Sequence, residues 1–193
     1  MAIQKSAVRT AGPVWHLLLV MLLLPPGGGT AADSKNTAPA QISSHGYSLL
    51  FDLLGDEQNV SKLLIVKRDR PELKKLAKQI SETAGKAHKD LEKLAKHANI
   101  DLKDPGLPDA ETQTRKSISR EKGKTLLAEK GDDFEFALLL TQNEALTYGV
   151  HLAGVLAAGE GQSERMRFLQ RLSSDLTQLR QEVTRMLREH RNP

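Results

Sequence analysis

The 193-residue chain contains no cysteine. That excludes disulfides, thiolate metal sites and cysteine nucleophiles, and it excludes the lipoprotein type of membrane anchor, which needs a cysteine at its cleavage site. Aromatic residues are scarce, at four Phe, two Tyr and one Trp, so aliphatic side chains must pack any core. No alternating strand pattern, Gly-rich phosphate loop or His-Glu-x-x-His zinc motif occurs. Glu-x-x-His, the paired ligand of carboxylate di-metal bundles, is also missing. Ser173, Ser174 and Asp175 have no neighbouring histidine to serve as a base. Nor does charge of one sign dominate. The formal net charge is +4, but residues 1–32 hold Lys5 and Arg9 and no acid, so the rest of the chain carries only +2. Nucleic acid is therefore not an expected partner.

What the sequence does contain begins with an export pattern. Lys5 and Arg9 precede an apolar stretch from Val14 to Leu24, which Pro25, Pro26 and Gly27 end. The stretch is about half the roughly 20 residues a membrane-spanning helix needs. Thr30, Ala31 and Ala32 then supply small residues for cleavage. Residues 1–32 are read as a signal peptide cut after Ala31 or Ala32, which predicts a periplasmic or secreted protein. A flexible spacer is expected over 33–45, rich in Ser, Thr, Ala and Pro. A helical bundle domain is expected over 46–190.

Within that domain the apolar spacing is helical throughout. A short helix is predicted from Ser48 to Leu54, broken or bent at Gly55, with a second piece from Asp56 to Arg68 that turns Val60, Leu63, Leu64 and Val66 inward. Pro71 suits the first position of the next helix, which runs to Ala98 with Leu73, Leu76, Ile80, Ala84, Leu91 and Leu94 along one face. Pro105, Gly106 and Pro108 mark a loop. A weaker helix from Ala110 to Lys130 is expected to attach through Leu126, Leu127 and Ala128. Asp132 or Asp133 is expected to cap a helix from Phe134 to Ala158, along which Ala145, Gly149, Ala153 and Ala157 form a smooth ridge for a close neighbour. Ser163 caps a last helix from Glu164 to His190, striped by Leu169, Leu172, Leu176, Leu179, Val183 and Met186. These elements predict an all-α fold: an antiparallel up-down four-helix bundle with one additional weak helix.

The segments Glu57 to Leu64, Asp69 to Ala77, Leu91 to Ala95 and Gly131 to Phe136, followed by a final amphipathic helix, occur in a characteristic order. Over residues 48–188 the chain resembles a bacterial family of exported, ferritin-like bundles of unknown function. The resemblance implies a polar core. This chain keeps its acids at Glu57 and Glu135. It has Thr83 and Ala84 where the family has Asp-His, Leu138 where it has tyrosine, and Leu146 and Gln178 where it has histidines.

Glu57 and Glu135 are thus the metal-ligand candidates, with Glu144 and His151 as the only groups that could join them. Bundle metal sites need inward-facing ligands at set spacing, and all four are read as rim or surface groups. No catalytic residue and no cofactor is implied. His88 and His97 fall among lysines and are read as solvated. The basic runs from Lys62 to Lys78 and from Arg165 to Arg191 are interspersed with acids and are read as solvated faces, with a weak attraction to membrane surfaces as the functional alternative. Asn59, Val60 and Ser61 match a glycosylation sequon by chance. The expectation is a non-enzymatic exported bundle with a structural or interaction role in the cell envelope, meeting a protein partner or itself through its helix faces. The alternatives are a ferritin-like metal or redox protein and an amphipathic membrane-surface bundle.

Overall fold

The computed structural model describes residues 44–65 and 70–191. The predicted signal peptide, most of the spacer and Val66 lie outside them. The elements are α1 (Ser44–Glu57), a 3-10 turn (Val60–Ile65), α2 (Pro71–Ala98), α3 (Asp109–Ala128), α4 (Gly131–Gly159) and α5 (Ser163–Arg191). Among the described residues there is no strand, and the fold is the predicted all-α bundle.

Pairs of touching residues give the directions. Tyr47 meets Glu160 and Leu53 lies against Gly149, so α1 and α4 are antiparallel. Phe51 stacks on His88 while Ser61 bonds Ser81, so α2 also runs against the first segment. Val150 with Ser173, and Asn143 with Thr184, set α5 against α4. Arg115 with Tyr148, and Lys122 with Glu144, set α3 against α4. Consecutive helices therefore alternate up and down. Because α3 carries the chain back along the bundle, α2 and α4 run parallel, as two hairpins joined by one crossover.

Aliphatic side chains fill the centre as the composition requires. Leu50, Leu54, Leu91, Leu139, Leu146 and Leu169 are fully buried, with Phe134 among them. The small-residue ridge of α4 is buried along its length. A Cβ built on Gly149 would stand 2.9 Å from a methyl of Leu176 and 2.9 Å from one of Leu53. The glycine is there because α1 and α5 both close onto α4 at this point.

Three local expectations are corrected. Gly55 does not break the first helix, which runs through it to Glu57. The stop comes two residues later, where Gln58 and Asn59 side chains donate to the Gly55 carbonyl at 3.1 and 2.8 Å and cap the helix end. Gly55 packs beside the His88 ring, which a Cβ there would meet at 3.4 Å, about van der Waals contact. Leu127 and Ala128 do not attach α3: Leu127 is 64% exposed and Leu126 alone is buried. Asp132 and Asp133 do not cap α4, which begins at Gly131, so they occupy its first turn and complement the helix dipole there.

Candidate functional site

Glu57, the last residue of α1, turns into the bundle and is 3% exposed. It is hydrogen-bonded to Gln142 of α4, itself 5% exposed. Amide and carboxyl satisfy each other only in part, because Glu57 Oε2 and Gln142 Oε1 have no hydrogen-bond partner. Both residues line a small, partly open pocket of about 40 Å³, walled by Val60 and Leu63, by Ser119, Lys122 and Leu126 of α3, and by Leu138 and Thr141 of α4. That is room for a single ordered water. Burial pushes the Glu57 carboxyl up to about 8 from its ordinary 4.5, and the Gln142 hydrogen bond only partly opposes this. At neutral pH Glu57 is therefore mostly a neutral acid.

Glu135 is buried too, but it is neutralised by partners. Arg70, just ahead of α2, donates from Nε to Oε2 at 2.8 Å and from Nη2 to Oε1. His190, near the end of α5, lies 3.9 Å away and stacks on Phe136. The placement of both glutamates overturns their reading as rim groups. They are not brought together, however. Gln142, which marks the Glu57 site, stands seven residues and about 10 Å along α4 from Glu135. Among the described residues no three His, Asp or Glu side chains converge.

Glu144 pairs with Lys122 at the surface and His151 is exposed, so neither joins them. His97 is exposed as expected, but His88 is not simply solvated. It stacks on Phe51 with ring centroids 3.8 Å apart, and burial lowers its pKa. The two rings belong to a groove of about 540 Å³ between α1 and α3, which also includes Leu49, Leu53, Leu107, Tyr148, Asp52, Arg115 and Lys116. Sequence spacing could not reveal it, because α3 supplies one wall from 60 residues away. Asn59 of the sequon spends its amide on the α1 cap.

At the opposite end, Glu160 in the turn between α4 and α5 takes both Arg165 donors, at 2.7 and 2.8 Å, and the Tyr47 hydroxyl. The Arg165 bonds hold its carboxyl down at about 2, and the Tyr47 bond adds to the effect. Arg165 and Arg70, both in the basic runs, are thus engaged in ion pairs with buried carboxylates and are not simply solvated. Arg185 pairs with Glu182 and Glu189 on its own helix.

No family model matches the chain, and no curated protein does. Its fold is similar to that of a Streptomyces coelicolor protein presumed to be secreted, of a domain family of unknown function, DUF305. The two share 15% identity over 77% of this chain and 94% of that one, with a TM-score of 0.62. At that identity the likeness is one of fold, and it supports a helical bundle of unknown function. No described helix is long and apolar enough to cross a membrane.

Proposed function

We propose that this is an exported, non-enzymatic helical bundle of the cell envelope that works by binding a protein partner. The groove between α1 and α3 carries the reading. It has the anatomy of a recognition site, with an apolar floor of Leu49, Phe51, Leu53 and Leu107 and charged groups at Asp52, Arg115 and Lys116. Export is supported by the leader pattern of residues 1–32 and is in keeping with a fold neighbour presumed to be secreted. The single crossover between two hairpins supports the ferritin-like ancestry that the motif order implies. The test is photo-crosslinking in an exporting host, with the photoreactive residue at Lys116 in the groove wall or at exposed Arg171 on α5. A discrete adduct from position 116 and none from 171 is expected. Equal labelling from both, or none, would remove the groove as the binding site, and an adduct of twice the chain's mass would make the partner a second copy.

A second reading has one observation in its favour. The partnerless Glu57 Oε2 and Gln142 Oε1 are both oxygen acceptors facing a cavity, the donor type that hard cations prefer. It requires Glu57 to ionise inside the bundle, against the cost of its burial.

A further inference from the structure

Among the helices around Glu57, α3 has the thinnest attachment. Its buried residues are Ser119 and Leu126, and both line the cavity above Glu57. At its edges Lys122 pairs with Glu144, and Arg115 is hydrogen-bonded to Tyr148 and to Glu111 of its own helix. Its sequence is mostly polar, so little apolar area is lost if it lifts. The loops on either side, 99–108 and 129–130, allow it to move without unravelling α2 or α4.

The floor beneath it is different in kind. A carboxylate at Glu57 would face Val60, Leu63, Leu126 and Leu138 across a space that holds about one water. The polar and charged groups around it are few. Asp56 comes from its own helix and offers a like charge. Thr141 and Gln142 come from α4, Ser119 and Lys122 from α3, and Ser81 of α2 reaches only the Glu57 backbone carbonyl, at 3.5 Å. The Lys122 ammonium is turned to Glu144. No residue lining the cavity comes from α5. A charge in this place needs water, and the wall that yields at least cost is α3.

We propose that α3 is a proton-gated flap, held on the bundle while Glu57 is a neutral acid and released when Glu57 ionises. Protonated Glu57 and one cavity water satisfy Oε2 and the Gln142 Oε1 acceptor together. Ionised Glu57 can use the same water as donor to both oxygens, but its charge then lies against Val60, Leu63, Leu126 and Leu138 with only that one water to solvate it while α3 is in place. Thr112, Arg115 and Lys116 of α3 also form a wall of the partner groove, so the flap would regulate that groove with pH. This last consequence rests on the partner reading; the flap itself does not.

The test is hydrogen–deuterium exchange of the exported chain from pH 5 to pH 9 with a chelator present, corrected for intrinsic exchange rates. The open form binds one proton fewer wherever pH lies between the ordinary carboxyl value of 4.5 and the buried value of about 8. Protection of residues 109–128 is therefore expected to fall by up to about tenfold per pH unit in that window and to level off above it. At every pH it should also lie well below the protection of α5, which exchanges through wider unfolding. In Glu57→Gln the pH dependence should vanish. Protection of α3 that is independent of pH in the native sequence would overturn the proposal. So would the same slope surviving in Glu57→Gln, or equal protection of α3 and α5. None of these readouts involves a partner, so failure of the flap is distinguishable from failure of the groove.

Discussion

At the scale of single residues, Glu57 departs furthest from ordinary behaviour. Its folded-state pKa lies above the ordinary one, so its contribution to stability is intact below pH 4.5 and is lost progressively as pH rises to about 8. Glu57→Gln keeps the shape, removes the charge and supplies a donor where Oε2 stood. We expect the variant to melt several degrees above the native protein at pH 8 and at nearly the same temperature at pH 4. Melts that coincide at both pH values would show that Glu57 is not a buried acid. Gly149 gives a second prediction at this scale. A methyl there meets only the flexible ends of Leu53 and Leu176, so Gly149→Ala should stay within about 1 kcal/mol of the native protein. Gly149→Val should cost about 1–3 kcal/mol by overpacking, read from urea unfolding. The need for small residues along α4 was legible in the sequence because it repeats every four positions. The burial of Glu57 was not, because Gln142 and the α3 wall that bury it lie far along the chain.

At the scale of elements, boundaries were legible where one residue settles them by itself. Pro71 opens α2 because its fixed φ and missing N–H fit a first turn. Asn99 closes it at φ 52°, with its N–H bonded to the Ala95 carbonyl. Gly55 misled because a glycine in a helix need not break it, and the stop is set by the Gln58 and Asn59 side chains that bind the Gly55 carbonyl. The α4–α5 turn owes its form to Glu160, which Arg165 and Tyr47 both bind. Its pKa is depressed, so this stabilisation is present above the ordinary 4.5 and fades as pH falls towards about 2. Glu160→Gln should cost roughly 1–3 kcal/mol at pH 7. The difference should shrink at pH 2, and loosening should show first as faster exchange at the start of α1. An unchanged α1 would mean that the Tyr47 contact does not hold that helix.

At the scale of the whole molecule, two polar clusters tie helix ends together across an aliphatic interior. One joins α1 to the α4–α5 turn through Glu160. The other joins the start of α2, the start of α4 and the end of α5 through Arg70, Glu135 and His190. Arg70→Ala leaves a buried carboxylate without its partner and should cost about 1–3 kcal/mol, less than for a wholly buried pair because Arg70 is half exposed. Adding Glu135→Gln to it should recover part of that loss, and strictly additive costs would show that the pair is not coupled. Helix stripes made the bundle legible, but which polar groups meet inside it depends on the crossover, which no local pattern encodes. In the proposed reading these interior acids serve the fold and its flap, and function lies in the groove. The most direct test is the metal content of the exported chain, purified without a His tag and measured by elemental mass spectrometry. We expect no stoichiometric metal, before or after reconstitution with iron, manganese or zinc. A stoichiometric metal that is lost in Glu57→Gln or Glu135→Gln would contradict the account and make the bundle interior the functional site.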